Sequence, residues 1–216
     1  MAGKGDSRKK LKKRAAASAK PAKHSAMVPS FAFAGRMGSG KTTYADALRK
    51  AVEEEFNVKL HSLSLSTKMR EIAKDLFGVE DKQRKLIQEI ATKMRDIDKY
   101  IWAKYLIREI KGMSLVPFVV DNIRTQEEAE IFKSSFSNLV IIRIETRDSD
   151  RMGAYKREYG KYPTEDEAHD VTESSIEWIK EDITLHNNYS MDSMRTQISE
   201  VVKRIGSGSI GGVRNL

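Results

Sequence analysis

The chain has 216 residues, of which 39% are hydrophobic and 32% are charged, and it contains no cysteine. This composition is typical of one globular domain and excludes a disulfide scaffold, a cysteine-ligated zinc site and thiol catalysis. No apolar run approaches the roughly 20 residues that a membrane-spanning helix needs, and no apolar segment follows the basic N-terminus as in a secretory signal. We therefore expect no membrane contact and a cytoplasmic protein, in the host cytoplasm if its source is viral.

The net charge of +8 belongs to the N-terminal segment. Nine basic residues and one acid precede Phe31, whereas basic and acidic residues from Phe31 onward are equal in number, at 30 each. Residues 1–27 contain almost no large apolar side chains, so we predict a disordered basic leader that offers a weak polyanion contact through residues 4–23. The glycine-rich stretch 206–216 predicts a flexible C-terminal tail, which leaves one domain at 28–205.

Between these two tails, strand-like and helix-like patterns alternate. Short apolar or alternating runs predict strands at 29–35, 58–65, 115–121, 139–145 and 183–186. Apolar residues at helical spacing predict helices at 42–56, 69–77, 82–111 with a break near Asp96, 127–134, 172–181, and from a cap at Ser190 onward. Strands that alternate with helices predict an α/β domain with a parallel sheet covered on both faces.

The segment 35–42, GRMGSGKT, fits the phosphate-binding pattern G-x-x-x-x-G-K-[ST] between a predicted strand and a predicted helix. Its glycines permit positive φ angles and let successive backbone N–H groups surround phosphate oxygens. We expect the Lys41 ammonium to contact the β- and γ-phosphates and the Thr42 hydroxyl to bind Mg²⁺. The sequence therefore predicts a P-loop for ATP and Mg²⁺, formed by Gly35, Gly38, Ser39, Gly40, Lys41, Thr42 and Thr43.

The chain after the second predicted strand is basic, reading STKMR from residue 66 with no acid before Glu71. A hydroxyl acceptor benefits from a carboxylate base at this place. A phosphate acceptor is already ionised and needs cations that reduce the repulsion between two anions. Lys68 and Arg70 therefore favour a phosphorylated acceptor, and a plain solvated helix start is the alternative.

Asp121 ends the apolar run at 115–121, and Arg124 follows three residues later. Ligands of parallel α/β sheets bind at the carboxyl ends of such strands. Asp121 is therefore a candidate to hold Mg²⁺ through water, and Arg124 a candidate to face an acceptor phosphate. An ordinary strand-end turn is the alternative for both residues.

The segment 146–170 is long, polar and rich in Arg and Lys, a pattern typical of a lid that closes over a site. A lid arginine, Arg151 or Arg157, would neutralise charge on a transferring phosphoryl group. A solvated charged loop is the alternative for this segment.

With these residues in view, the chain from about 30 to 205 resembles the P-loop nucleoside monophosphate kinases. It looks most like the deoxynucleoside monophosphate kinases of tailed bacteriophages, with dephospho-CoA kinase as a more distant likeness. The pieces that carry the resemblance are GRMGSGKTTYAD, LSTKMREIAKDLFG, RKLIQEIATKMRDIDKYIW, VVDNIRTQEEAE, and HDVTES followed by DITLHNN.

The resemblance implies a five-stranded parallel sheet and transfer of the γ-phosphoryl group of ATP to a (deoxy)nucleoside 5′-monophosphate. It places Arg70 and Arg124 near the acceptor, and Arg95 and Asp98 in the acceptor-side helical region, as candidates for acceptor binding. With the P-loop and the lid segment, the candidate catalytic residues are Lys41, Arg124, Arg151 and Arg157. His169 and Glu173 fall where the family pattern has a histidine and an acid. Two other functions stay open at this point: a small-molecule kinase of dephospho-CoA type, and a nucleic-acid-associated NTPase that uses the basic leader. The oligomeric state, a homodimer included, is open as well.

Overall fold

The computed structural model describes residues 28–79, 83–164 and 175–210. The predicted basic leader, His169, Glu173 and the last six residues of the predicted tail lie outside these ranges. No helix within the described ranges is long and apolar enough to span a membrane.

The described residues form one parallel sheet and seven α-helices. The strands are β1 (Ser30–Ala34), β2 (His61–Leu63), β3 (Phe118–Ile123), β4 (Leu139–Glu145) and β5 (Ile183–His186). The helices are α1 (Lys41–Phe56), α2 (Leu65–Phe77), α3 (Arg84–Ile97), α4 (Ile101–Met113), α5 (Gln126–Ser135), α6 (Asp148–Tyr159) and α7 (Met191–Gly206). The strand order is β2-β3-β1-β4-β5, and all four pairings are parallel. This confirms the α/β fold with a five-stranded parallel sheet.

The central strand β1 is buried on both faces. Phe31 and Phe33 pack into the cluster that α1 and α7 share, whereas Ala32 and Ala34 pack into the cluster beneath α2 to α5. Because successive strand side chains point to opposite faces, this alternation needs apolar residues at each of the four positions 31–34. The result is a strand whose carboxyl end opens directly into the loop that begins at Gly35.

Strand β2 is shorter than predicted, because helix α2 already begins at Leu65. The backbone N–H of Leu65 donates to Oδ1 of Asn122 over 3.0 Å, which ties the start of this helix to strand β3. Leu65, Met69 and Ala73 are buried at four-residue spacing. The predicted strand is therefore present at His61–Leu63, and only its last predicted residue, Leu65, belongs to the helix that follows.

The predicted lid begins as a helix. Helix α6 covers the first half of 146–170, and Arg151 and Tyr155, four residues apart, are buried on it. The described part of the predicted helix 172–181 instead contains a single 3₁₀ turn at Ile176–Trp178. Ile176 and Ile179 both reach the core at this tighter three-residue spacing.

The C-terminal helix extends further than predicted. Helix α7 runs to Gly206, and the turn after it brings Ile210 into the core with Ile183. The structure thus places Ile210, which belongs to the predicted flexible tail, in the core, while residues 206–209 are exposed.

Phe132 on α5 tests the packing of the core. It is fully buried and its ring stacks on Phe136 with centroids 6.4 Å apart. We expect Phe132→Ala to lower the free energy of unfolding by about 3–5 kcal/mol, measured by urea denaturation. The control Phe77→Ala, at a side chain that is 56% exposed, should change it by less than about 1 kcal/mol. Equal losses for the two variants would contradict the core described here.

Candidate active site

The loop between β1 and α1 depends on two glycines. Gly38 has a φ angle of 76°, and a Cβ there would lie 2.5 Å from the carbonyl oxygen of Arg151 on α6. Gly40 has a φ angle of 87°, and a Cβ there would lie 2.5 Å from Nδ2 of Asn187. Both the backbone conformation and the close approach of neighbouring segments therefore require glycine at these positions.

The carbonyl groups of this loop are held from behind by side chains after β4 and β5. The Ser39 carbonyl accepts hydrogen bonds from Asn187 Nδ2 at 2.9 Å and from the Thr146 hydroxyl at 3.1 Å. The Gly38 carbonyl accepts one from the Tyr189 hydroxyl. Burial raises the pKa of Tyr189, which keeps this hydroxyl a donor. With its carbonyl oxygens occupied, the loop can present its N–H groups to an anion.

Lys41 begins helix α1 and is buried against the loop. Its Nζ donates to the carbonyls of Gly35 at 2.7 Å and Arg36 at 2.9 Å. The ammonium is thus held beside the N-terminal end of a helix, where backbone N–H groups already favour negative charge. The predicted P-loop therefore lies between β1 and α1, with the Lys41 side chain folded back against it.

Asp121 lies on β3 and lines the same cavity as the loop. Its Oδ1 is buried without a hydrogen-bond partner among the described residues. Burial raises the pKa of Asp121, and the Ser64 hydrogen bond and the charges of Lys41 and Arg70 oppose this effect. An orphaned carboxylate oxygen and the Thr42 hydroxyl in one cavity are the oxygen donors that Mg²⁺ takes together with phosphates and water, so these residues fit the ion.

A cavity of about 540 Å³ extends from the P-loop between α2, α3, the end of β3 and the end of α6. Arg70, Arg95 and Arg124 line it, so the structure brings three of the four predicted acceptor residues together. Arg70 has no hydrogen-bond or salt-bridge partner within the described ranges. Its guanidinium group is therefore suited to bind an anion.

Four apolar side chains also line this cavity, and we call them the apolar slot: Leu65, Met69, Ile87 and Ala91. Gln88 lies between the last two on helix α3 and adds an amide group. A cavity lined by three arginines, by the apolar slot and by the amides of Gln88 and Asn122 suits a small molecule that has a phosphate and a flat ring.

The fourth predicted acceptor residue, Asp98, lies elsewhere. Its Oδ1 accepts from the backbone N–H of Tyr100 at 2.9 Å, and its Oδ2 accepts from Lys104 Nζ at 2.7 Å. The Lys104 ammonium is the main reason that the pKa of Asp98 is lowered. Asp98 therefore shapes the turn between α3 and α4 and does not line the cavity.

A second cavity, of about 860 Å³, lies on the other side of the P-loop, between the start of α6 and the segment after β5. The lid residue Arg151 lines it, and its Nε donates to Asp148 Oδ1 at 2.7 Å, which lowers the pKa of that carboxyl. The other lid residue, Arg157, lies over the ring of Tyr189 at 5.5 Å from its centroid. Both predicted lid arginines thus lie close to residues that contact the P-loop.

The side chains that support the P-loop were not predicted from the sequence. Asn187 and Tyr189 follow strand β5, and Thr146 follows β4, each at the carboxyl edge of the sheet. The only sequence signal for them is this position, because polar residues that follow the strands of a parallel sheet meet at one edge.

Asn187 allows a test of the support behind the loop. Asn187→Ala removes the hydrogen bond to the Ser39 carbonyl, worth about 1–1.5 kcal/mol, so the Kd for ATP·Mg²⁺ should rise about tenfold. Calorimetric titration measures this, and Asn138→Ala, between α5 and β4, is the matched control with an unchanged Kd. An unchanged Kd for Asn187→Ala would show that the loop keeps its shape without this support.

Asp121 allows a test of the desolvated carboxylate. Because burial raises its pKa, ionising it destabilises the folded protein relative to the unfolded chain. Asp121→Asn should therefore be more stable than the wild type near neutral pH in the absence of nucleotide. Thermal unfolding should show this gain vanish below about pH 4, where the carboxyl is protonated in both states, and grow as the pH rises.

The matched control for this measurement is Asp75→Asn, at an exposed position on α2. It should show no comparable gain across the same pH series. A loss of stability in Asp121→Asn at neutral pH would contradict the assignment of a desolvated carboxylate.

Comparisons with known proteins support the fold. No protein family model matches the chain, and no curated protein sequence matches it. Among solved structures, the gluconokinase from Sinorhizobium meliloti 1021 is similar with a TM-score of 0.55 and 11% identity, over 84% of this chain and 95% of that chain. The shikimate kinase from Acinetobacter baumannii in complex with shikimate is similar with a TM-score of 0.54 and 16% identity, over 87% and 98%.

Kti12 from Chaetomium thermophilum in complex with ADP-AlF3 is also similar, with a TM-score of 0.51 and 14% identity, over 82% of this chain and 99% of that chain. All three likenesses extend over nearly the whole length of the known structure. This chain therefore has the fold of the P-loop kinases.

Proposed function

We propose that this protein transfers the γ-phosphoryl group of ATP to the phosphate of a (deoxy)nucleoside 5′-monophosphate. The observation that carries the proposal is the 540 Å³ cavity, which joins the P-loop to three arginines and an apolar slot. Phosphotransfer in general also agrees with the kinase fold.

The donor side rests on the P-loop and on the second cavity. Kti12, which shares the fold, was solved with ADP-AlF3. The second cavity, with Arg36, Arg147 and Arg151 at its wall, has room for the nucleoside of ATP. Thr42 and Asp121 are the residues that would hold Mg²⁺, which when bound neutralises charge on the β- and γ-phosphates.

The positive charge of the cavity supports the proposal of a monophosphate acceptor. A monophosphate acceptor is an anion that must approach a second anion, so cations have to reduce their repulsion. Arg70, Arg95 and Arg124 provide this charge in the lining of the cavity. A hydroxyl acceptor would not require so many guanidinium groups.

The apolar slot accounts for the rest of the acceptor. Met69, Ile87 and Ala91 offer flat apolar contact to a nucleobase, and Gln88 offers an amide to its polar edge. The cavity volume of about 540 Å³ lies within the usual range for sites that bind small molecules.

Catalysis then consists of positioning and charge neutralisation. An acceptor phosphate oxygen attacks the γ-phosphorus while the bond to ADP breaks, which yields ADP and a nucleoside diphosphate. The Lys41 ammonium exchanges its carbonyl partners for phosphate oxygens, and Arg151 and Arg157 on α6 are placed to add charge from the lid side. Because the acceptor is already ionised, no general base is needed.

A second candidate is a small-molecule kinase with a hydroxyl acceptor. The similar structures of gluconokinase and shikimate kinase favour it. In that case Asp121 is the desolvated carboxylate in the cavity that would serve as a general base.

An acceptor screen separates these functions. The protein is incubated with ATP, Mg²⁺ and each common (d)NMP, and in parallel with gluconate or shikimate, while ADP and the phosphorylated product are quantified. We expect diphosphate formation with one or more monophosphates. Lys41→Ala should reduce turnover by about 10²-fold or more, and Lys50→Ala, at an exposed position on α1, should leave it unchanged.

The other outcomes assign the other functions. Product from gluconate or shikimate alone would favour the hydroxyl-acceptor kinase. ATP hydrolysis without any acceptor, stimulated by nucleic acid and lost on deletion of residues 1–27, would favour the nucleic-acid-associated NTPase. Absence of a diphosphate product with every monophosphate would overturn the proposal.

A further inference from the structure

Glu128 on α5 is a fully buried acid beside the acceptor cavity. One of its oxygens, Oε1, accepts hydrogen bonds from Nε and Nη2 of Arg95 at 3.1 and 2.8 Å. The other, Oε2, accepts from the backbone N–H of Arg124 at 2.9 Å. This one carboxylate therefore holds two of the residues that line the acceptor cavity.

The start of α5 does not need this carboxylate as its cap. The Thr125 hydroxyl already caps the helix, accepting from the backbone N–H of Glu128 at 3.2 Å. In an ordinary capping box the acid at the third helical position reaches back to the N–H of the cap residue. Here Glu128 reaches one residue further, to Arg124, and so fixes the backbone from which a cavity arginine projects.

The contact with Arg95 leaves part of that side chain available. Nε and Nη2 are used by Glu128, whereas Nη1 has no hydrogen-bond partner within the described ranges. Arg95 is nevertheless nearly buried, with only 11% of its side chain exposed. An arginine held along one edge keeps the donors of its other edge in a fixed direction.

We propose that Glu128 is a positioning residue of the acceptor site. It fixes the guanidinium of Arg95 and the backbone at Arg124 so that both face an incoming phosphate. The inference rests on the proposed function, because it takes a nucleoside monophosphate as the occupant of the cavity. It goes beyond that function in naming a residue that never contacts the acceptor itself.

Loss of the Glu128 charge should weaken the binding of the acceptor but not the binding of ATP. Without the charge of Glu128, Arg95 loses both of its described hydrogen bonds and its single orientation. The phosphate would then have to order this side chain itself, which weakens binding. None of the hydrogen bonds described for Glu128 involves the P-loop, so the KM for ATP should not change.

Glu128→Gln tests this directly. The amide keeps the size of the side chain and an oxygen for the Arg124 N–H, but it loses the charge that holds Arg95. In the steady-state assay we expect the acceptor KM to rise about tenfold or more, while the KM for ATP changes less than about twofold. An unchanged acceptor KM would overturn the proposal.

Two controls on the same helix separate positioning from stability. Glu130→Gln makes the same chemical change at an exposed position and should leave all constants unchanged. Thr125→Ala removes the cap, so it should lower the melting temperature without raising the acceptor KM. An equal rise in acceptor KM for Thr125→Ala would show that helix stability alone is responsible, and would overturn the proposal.

Glu128→Asp covers the case in which the amide variant does not fold. It keeps the buried charge but withdraws it by one methylene, so Arg95 is still paired but displaced. The acceptor KM should rise severalfold with the KM for ATP unchanged, and a wild-type acceptor KM would overturn the proposal.

The wild-type protein is assayed first. No monophosphate turnover there would overturn the proposed function and this inference together. Wild-type turnover with an unaffected acceptor KM in the folded Glu128 variants would overturn this inference alone.

Discussion

A loop that binds phosphate through its backbone has to keep its own carbonyl oxygens away from the anion, and this constraint organises the whole sheet edge. In this protein Lys41 donates to the carbonyls of Gly35 and Arg36. Those of Gly38 and Ser39 accept hydrogen bonds from behind, from Asn187, Thr146 and Tyr189. These three side chains come from the ends of β4 and β5. They reach the loop only because those strands lie on one side of β1 in the order β2-β3-β1-β4-β5. Strand β3 lies on the other side of β1, and its Asp121 lines the proposed acceptor cavity.

Much of the fold could be predicted from the sequence because a strand buried on both faces is apolar at every position. Strand β4 is such a run over residues 139–142, and its predicted and observed bounds, 139–145, agree. The prediction failed where a buried residue is charged, and where a short alternating run continues into a helix. Helix α6 buries Arg151, paired with Asp148, so its sequence resembles a solvated loop. The alternation before Leu65 fitted a strand, and the start of α2 depends on a hydrogen bond to Asn122 that local sequence does not encode.

Some residues of the candidate site could likewise be predicted from the sequence, and others could not. Lys41 and Asp121 could be predicted because a motif and a strand end mark them. The role of Asn187 could not be predicted, because the carbonyl to which it donates, that of Ser39, lies 148 residues earlier in the chain. Asn187 also belongs to no periodic sequence pattern. Glu128 had a signal, the T-x-x-E pattern with Thr125, but that pattern indicates a helix cap. Its contact with Arg95 depends on how α3 and α5 pack, which only the tertiary structure shows.

The charges of the domain also argue that the proposed acceptor would be recognised by local geometry. From Phe31 onward acids and bases are equal in number, so no general positive field draws an anion to the domain. Several of its arginines are instead neutralised and held by acids, as Arg95 is by Glu128 and Arg36 by Glu177. Arg70 has no such partner in the described ranges and lines the acceptor cavity. Paired charges contribute little at a distance, so the arginines held by acids add little to the field of the domain. The unpaired charge of Arg70 therefore concentrates positive potential in the cavity, where two phosphates would meet in the proposed reaction.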